Sequence, residues 1–141
     1  MREILFKGKA INRENCYHRT EYKNGEWVYG LVTKLYDEKF ENLPAEMTDI
    51  NGISNIEIDY KTIGQYTGML DKNGNKIFEG DILKFFNDNS KTSYYDVAYF
   101  ETDCRWIIRK KGRILADLDD FVHKFMSVVG NVYDNPELLY F

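Results

Sequence analysis

The sequence predicts a mainly β protein, and three observations carry that expectation. Aromatic residues make up 16% of the 141 residues, with eleven Tyr, nine Phe, Trp27 and Trp106, and such side chains suit pleated, half-buried surfaces. Short stretches such as "NIEIDY" and "SYYDVAYF" alternate between two faces, the period of a strand. Asn-Gly pairs at 24–25 and 73–74 stand between such stretches, where a hairpin needs residues that tolerate positive φ.

Taken in order, "ILFKGKAI" reads as a strand bent or bulged at Gly8. "TEYKNGEWVYGLV" reads as a hairpin closed by a type I′ turn at Asn24-Gly25. From Tyr36 to Gly52 strand signals fade around Pro44 and Asn51-Gly52, which predicts a loop-rich connection with at most a short helix. "NIEIDY" follows as a strand. "GQYTGML" and "NKIF" flank a second type I′ turn at Asn73-Gly74, and Gly80 then bends the chain into "DILKFF". In "SYYDVAYF", Tyr95, Val97 and Tyr99 share one face and Tyr94, Asp96, Ala98 and Phe100 the other. "CRWIIR" and "RILA" follow, separated by a turn at Lys111-Gly112. Leu118, Phe121, Val122 and Phe125 fall at i, i+3, i+4 and i+7, so "DLDDFVHKF" predicts a two-turn helix with Asp117 as N-cap. "MSVVGNVY" is the last strand, and Asn135-Pro136-Glu137 opens one terminal helical turn. The division expected is an N-terminal β subdomain with its loop-rich connection over 1–62 and a C-terminal one over 63–141.

Composition narrows the function classes. A net charge of −4 argues against a dedicated nucleic-acid binder, whose phosphate contacts favour a basic surface. No apolar run is long enough to cross a bilayer, and no signal-peptide core follows Met1-Arg2-Glu3. The expectation is therefore a cytoplasmic protein without membrane contact, with Cys16 and Cys104 as free thiols.

The motifs that could carry chemistry fail on spacing. An EF-hand loop beginning at Asp71 needs glycine at position six and an acid at position twelve, where the chain has Lys76 and Ile82. Neither glycine-rich phosphate-binding pattern is present, so Gly64, Gly68, Gly74 and Gly80 are read as bends in a sheet. Cys16, His18, Cys104 and His123 lack the paired spacing of a zinc site, and His123 is expected to face solvent. Glu79 and Asp81 beside Gly80 read as turn residues rather than an acid/base pair. No catalytic residue, cofactor or metal is expected, and the chain is read as a non-enzyme.

Two surfaces remain as candidates. Arg105, Trp106, Arg109, Lys110, Lys111 and Arg113 combine charge with an aromatic ring, the recipe for stacking on single-stranded nucleic acid, although Asp117, Asp119 and Asp120 follow and offset the charge. Tyr94, Tyr95 and Phe100 place aromatics on both faces of one strand, and Tyr140 and Phe141 end an apolar "LLYF". A small sheet domain covers one face with its own core, so these five residues are candidates for an interface between copies.

The blocks "IGQYTGMLDKNGNKIFEGDILKF" at 63–85 and "SVVGNVYDNPELL" at 127–139, with the opening "ILFKGKAI…NGEWVYGLV", resemble the YopX family of phage and prophage proteins. The resemblance covers most of the chain and is weakest between residues 34 and 55. It implies an all-β, two-part architecture with an SH3-like barrel in the C-terminal half and one or two short helices. It also implies an accessory protein made in a bacterial host from a phage or prophage genome, and it carries over no catalytic residue. The function expected is a self-associating interaction module, with a host or phage protein as a further partner. The alternative is a nucleic-acid-binding barrel that uses the 105–113 strip.

Overall fold

Alternating side chains build both halves of the computed structural model, which describes residues 2–12, 22–36, 43–87, 89 and 91–141. The chain divides into two compact units, Met1–Gln65 and Tyr66–Phe141.

In the first unit, β1 (Phe6–Ala10), β2 (Trp27–Lys34), β3 (Ala45–Asp49) and the first part of β4 (Ile56–Leu70) pair antiparallel. β1 pairs with both β2 and β4, so the ladder returns on itself. Ala10, Val28, Ala45, Met47, Ile56 and Ile58 form its buried core. Gly30 is required by close approach: a Cβ there would meet the Thr48 carbonyl oxygen at 1.9 Å. β3 lies inside the stretch expected to be loop-rich. Its alternation, Ala45, Met47 and Asp49 inward against Glu46 and Thr48, is only five residues long, and Pro44 and Asn51-Gly52 mask it on either side. "NIEIDY" and "GQYTGML" prove to be parts of one fifteen-residue strand, β4, and the boundary expected at 62/63 falls within it.

The second unit adds β5 (Lys76–Phe78), β6 (Asp81–Phe86), β7 (Thr92–Phe100), β8 (Arg105–Lys110), β9 (Arg113–Asp117), helix α1 (Asp120–Phe125), β10 (Met126–Asn131) and a 3-10 helix, Pro136–Tyr140. Its sheet runs β10-β6-β7-β8-β9, all antiparallel, so the last strand lies beside β6. Ile77, Leu83, Val97, Ile108, Val122 and Met126 are buried on one side of it. The protein is thus mainly β, with a single α-helix among the described residues.

Turn and cap details differ from expectation. Among the described non-glycine residues only Asn55, Cys104 and Lys111 have positive φ. Asn24 and Asn73 therefore do not form type I′ turns, which need positive φ at both centres; only Gly25 and Gly74, both at +83°, take it. The two-residue turn with both φ positive is Lys111-Gly112, at +50° and +79°, between the paired Lys110 and Arg113. The helix starts later than its period suggested. Asp117 ends β9, and Asp119 is the N-cap, accepting from the Phe121 N–H at 3.1 Å. Six residues give fewer than two turns, so the helix buries Val122 alone, while Phe121 and Phe125 remain 46% and 50% exposed, the Phe121 ring packing against those of Phe85 and Phe125.

Candidate functional site

The second unit carries a cleft of about 290 Å³ whose polar lining comes from four places in the chain. Its floor is the Glu79-Gly80 turn between β5 and β6. The Asp81 carboxylate accepts from the Phe78 N–H at 2.8 Å and closes that turn. The Gly80 N–H donates to Val97 O at 2.9 Å, and Gly80 O accepts from the Val132 N–H at 2.8 Å. These bonds pin the turn between β7 and the bend that follows β10. Tyr133 forms a further wall, with its ring 3.4 Å from where a Gly80 Cβ would stand.

Asp96 on β7 lies directly opposite Arg109 on β8. Although charged, Asp96 is buried, and it accepts from Arg109 Nε at 3.0 Å and from Nη2 as well. A buried carboxylate needs such compensation. Glu101, in the turn after β7, sits at the rim. Among the described residues, Arg109 is the one cation lining the cleft and is thereby held by Asp96, while the Glu79 and Glu101 carboxylates make no hydrogen bond. Burial pushes the Glu79 pKa up, the Glu101 carboxylate adds to that, and Arg109 only partly opposes it. Chemically, the cleft presents an excess of acidic groups over cations beside the tyrosine rings of Tyr99 and Tyr133, a setting that suits an ammonium or guanidinium group.

The residues of the basic strip separate in space. Arg105 donates to Asp103 at 3.3 Å and to Asp117. Trp106 packs on Tyr99 with ring centroids 4.9 Å apart, and Lys110 lies over the Tyr95 ring at 5.5 Å. Lys111 and Arg113, at the tip of the β8–β9 hairpin, are exposed and make no ion pair among the described residues. Of the expected interface residues, Tyr95 is a core residue of the second unit and is not available to a partner. Tyr94 and Phe100 are half-buried, and Tyr94 meets the Phe141 ring at 6.2 Å. Tyr140 and Phe141 remain 83% and 71% exposed.

Cys104 is an exposed thiol bonded to Glu101 O, and His123 is exposed with Nδ1 2.9 Å from Leu70 O. Cys16 and His18 lie outside the described residues. Among those that are described, no three metal-ligating side chains gather. Asp96, Glu101 and Tyr133 were not singled out from the sequence. The one available signal was an acid at position 96 inside an otherwise aromatic strand.

The family model described as YopX protein matches residues 21–140, a span that includes every residue of the cleft. The chain belongs to the YopX family. A crystal structure of protein EF1440 from Enterococcus faecalis is similar to this YopX-family chain, at 26% sequence identity and a TM-score of 0.49, covering 97% of this chain and 98% of that one. A search of curated proteins found no match. No helix among the described residues is long and apolar enough to cross a membrane.

Proposed function

We propose that this YopX-family chain is a phage- or prophage-encoded accessory protein that acts without catalysis, as a self-associating interaction module. The observation that carries the reading is β9. This strand stands at the edge of the second unit's sheet with all five residues exposed, Ile114 and Leu115 among them. Apolar side chains on an open edge favour contact with another chain, and a closed dimer is the commonest way to meet that need with copies of oneself. The sheet order, with β10 returning beside β6, supports an SH3-like arrangement for this unit. The nucleic-acid alternative has less support, since Arg105 and Arg109 already hold carboxylates and Trp106 is stacked on Tyr99.

Light scattering at micromolar concentration tests the reading. A dimer or larger species is expected, with Leu115→Lys shifting it toward monomer. A monomer mass near 16.7 kDa for the intact chain overturns it.

A further inference from the structure

A bulge keeps β9 from adding a copy of itself as one regular strand along its whole length. Its register with β8 slips between Ile108 and Arg109, leaving Leu115 without an opposite residue. Such a bulge flips the alternation: Arg113 pairs with Lys110, which shares a sheet face with Ile108, whereas Asp117 pairs with Ile107 on the other face. An antiparallel copy of β9 laid alongside would put Arg113 and its complement Asp117 on opposite sides of the joined sheet. Contact through the hairpin tip avoids that conflict.

Resting on the self-association reading, we propose that the β8–β9 hairpin tip of one protomer inserts Lys111 and Arg113 into the Glu79–Glu101 cleft of its partner, and that the exchange is reciprocal about a two-fold axis. Three features point there. First, the tip carries two cations that make no ion pair among the described residues, and its backbone is fixed by positive φ at Lys111 and Gly112. Second, the cleft carries two carboxylates that accept no hydrogen bond among the described residues, Glu79 is partly withdrawn from water, and the hydrogen bonds of the cleft's arginine go to Asp96, so that it offsets the Glu79 charge only in part. A carboxylate that loses water without gaining a cation costs free energy, and an incoming guanidinium or ammonium removes that cost. Third, β8 joins the tip to the cleft: Arg109 lines the cleft, and Lys111 is two residues further on, about 7 Å along the strand. Complementary patches this close to each other let a single two-fold operation satisfy both at once, which closes the assembly at two copies.

Charge reversal tests the exchange. The tip variant Lys111→Glu/Arg113→Glu and the cleft variant Glu79→Lys/Glu101→Lys should each dimerise at least about tenfold more weakly than the wild type. An equimolar mixture of the two should restore a dimer, now of one copy of each, because both contacts again join opposite charges. Glu79→Gln/Glu101→Gln, which adds no buried cation, guards against a cleft variant that fails to fold and should weaken the wild-type dimer and remove its sensitivity to salt. Retained dimerisation in the tip variant, or no recovery in a mixture of folded variants, overturns this contact while leaving self-association standing. A monomeric wild type overturns both.

Discussion

A five-residue turn closed by an aspartate side chain occurs in each unit, and the two differ in what their aspartates hold. Asp49-Ile50-Asn51-Gly52-Ile53 and Asp71-Lys72-Asn73-Gly74-Asn75 share the pattern D-x-N-G. In the first, Asp49 Oδ1 accepts from the N–H groups of Asn51 and Ile53 at 2.9 and 2.8 Å. In the second, Asp71 Oδ1 accepts from Asn73 and Asn75 at 2.8 and 2.9 Å. Both aspartate N–H groups donate across the loop to the fifth residue, and both glycine N–H groups return to the aspartate carbonyl. The second carboxylate oxygen makes the difference. That of Asp49 accepts from the Tyr22 hydroxyl at 2.7 Å. That of Asp71 accepts from the Val128 N–H at 2.8 Å, 57 residues away, on the outermost strand β10. Local chemistry therefore makes the turn, and one remaining lone pair decides whether the turn is only a corner or also fastens a sheet edge.

The largest consequence is a contrast between Asp71→Ala and Asp49→Ala. Removing the Asp71 carboxylate strands three backbone donors, including one on β10, and should cost about 3 kcal/mol. Removing that of Asp49 strands two backbone donors and one hydroxyl that can turn to water, for about 1.5 kcal/mol. Urea denaturation measures both. Equal costs would mean that the Val128 bond adds nothing to the turn.

Gly52 and Gly74 should behave alike where the aspartates differ. Their φ values are +88° and +83°, and a Cβ at either would meet nothing within 4 Å. The cost of Gly52→Val or Gly74→Val is therefore backbone strain alone, about 1 kcal/mol or more for a β-branched residue. A clear inequality between the two would show that the turns are not equivalent.

The comparison also shows what could be read from the residues. Asn-Gly marked where the chain turns, because glycine at positive φ is a local requirement. The turn type at 73–74 does not follow from Asn-Gly, because Asp71, two residues earlier, sets a longer loop closed by its side chain. The cleft was out of reach for a different reason. Glu79, Glu101 and Arg109 are brought together by the register of β6, β7 and β8, and no spacing along the chain encodes that register. The basic strip illustrates the converse: residues adjacent in sequence separate because β8 alternates, sending Arg109 to Asp96 and Lys110 to the Tyr95 ring.

Acid should weaken both turns. Burial pushes the pKa of Asp71 up, but the N–H groups of Val128, Asn75 and Asn73 outweigh it and hold the group below the ordinary carboxylate range. For Asp49, burial is likewise outweighed, by Tyr22, Ile53, Asn51 and Gly52. A depressed folded-state pKa contributes stability that is fully present above the unfolded value of about 3.9 and is lost as pH falls through the folded value. Stability should therefore decline below about pH 4, and Asp71→Asn should flatten that decline. An unchanged profile in Asp71→Asn would remove this carboxylate as a source of the acid sensitivity.

The smallest expected effect isolates the lone pair that separates the two turns. Tyr22→Phe deletes the hydroxyl that donates to Asp49 and leaves the Asn51 and Ile53 bonds in place. A single hydrogen bond to a carboxylate at a partly buried site should be worth about 1 kcal/mol, since the oxygen it leaves can take water instead. The sharper readout is titration. Without that donor, the charged form of Asp49 loses a stabilising partner, so its pKa should rise toward the ordinary range. Asp71 is held down by the N–H groups of Val128, Asn75 and Asn73 instead, and its pKa should not move. Side-chain carboxyl chemical shifts followed against pH resolve the two groups separately. If Asp49 keeps its low pKa in Tyr22→Phe, then the backbone amides of the turn alone hold it down, and the two turns differ only through the tie from Asp71 to β10.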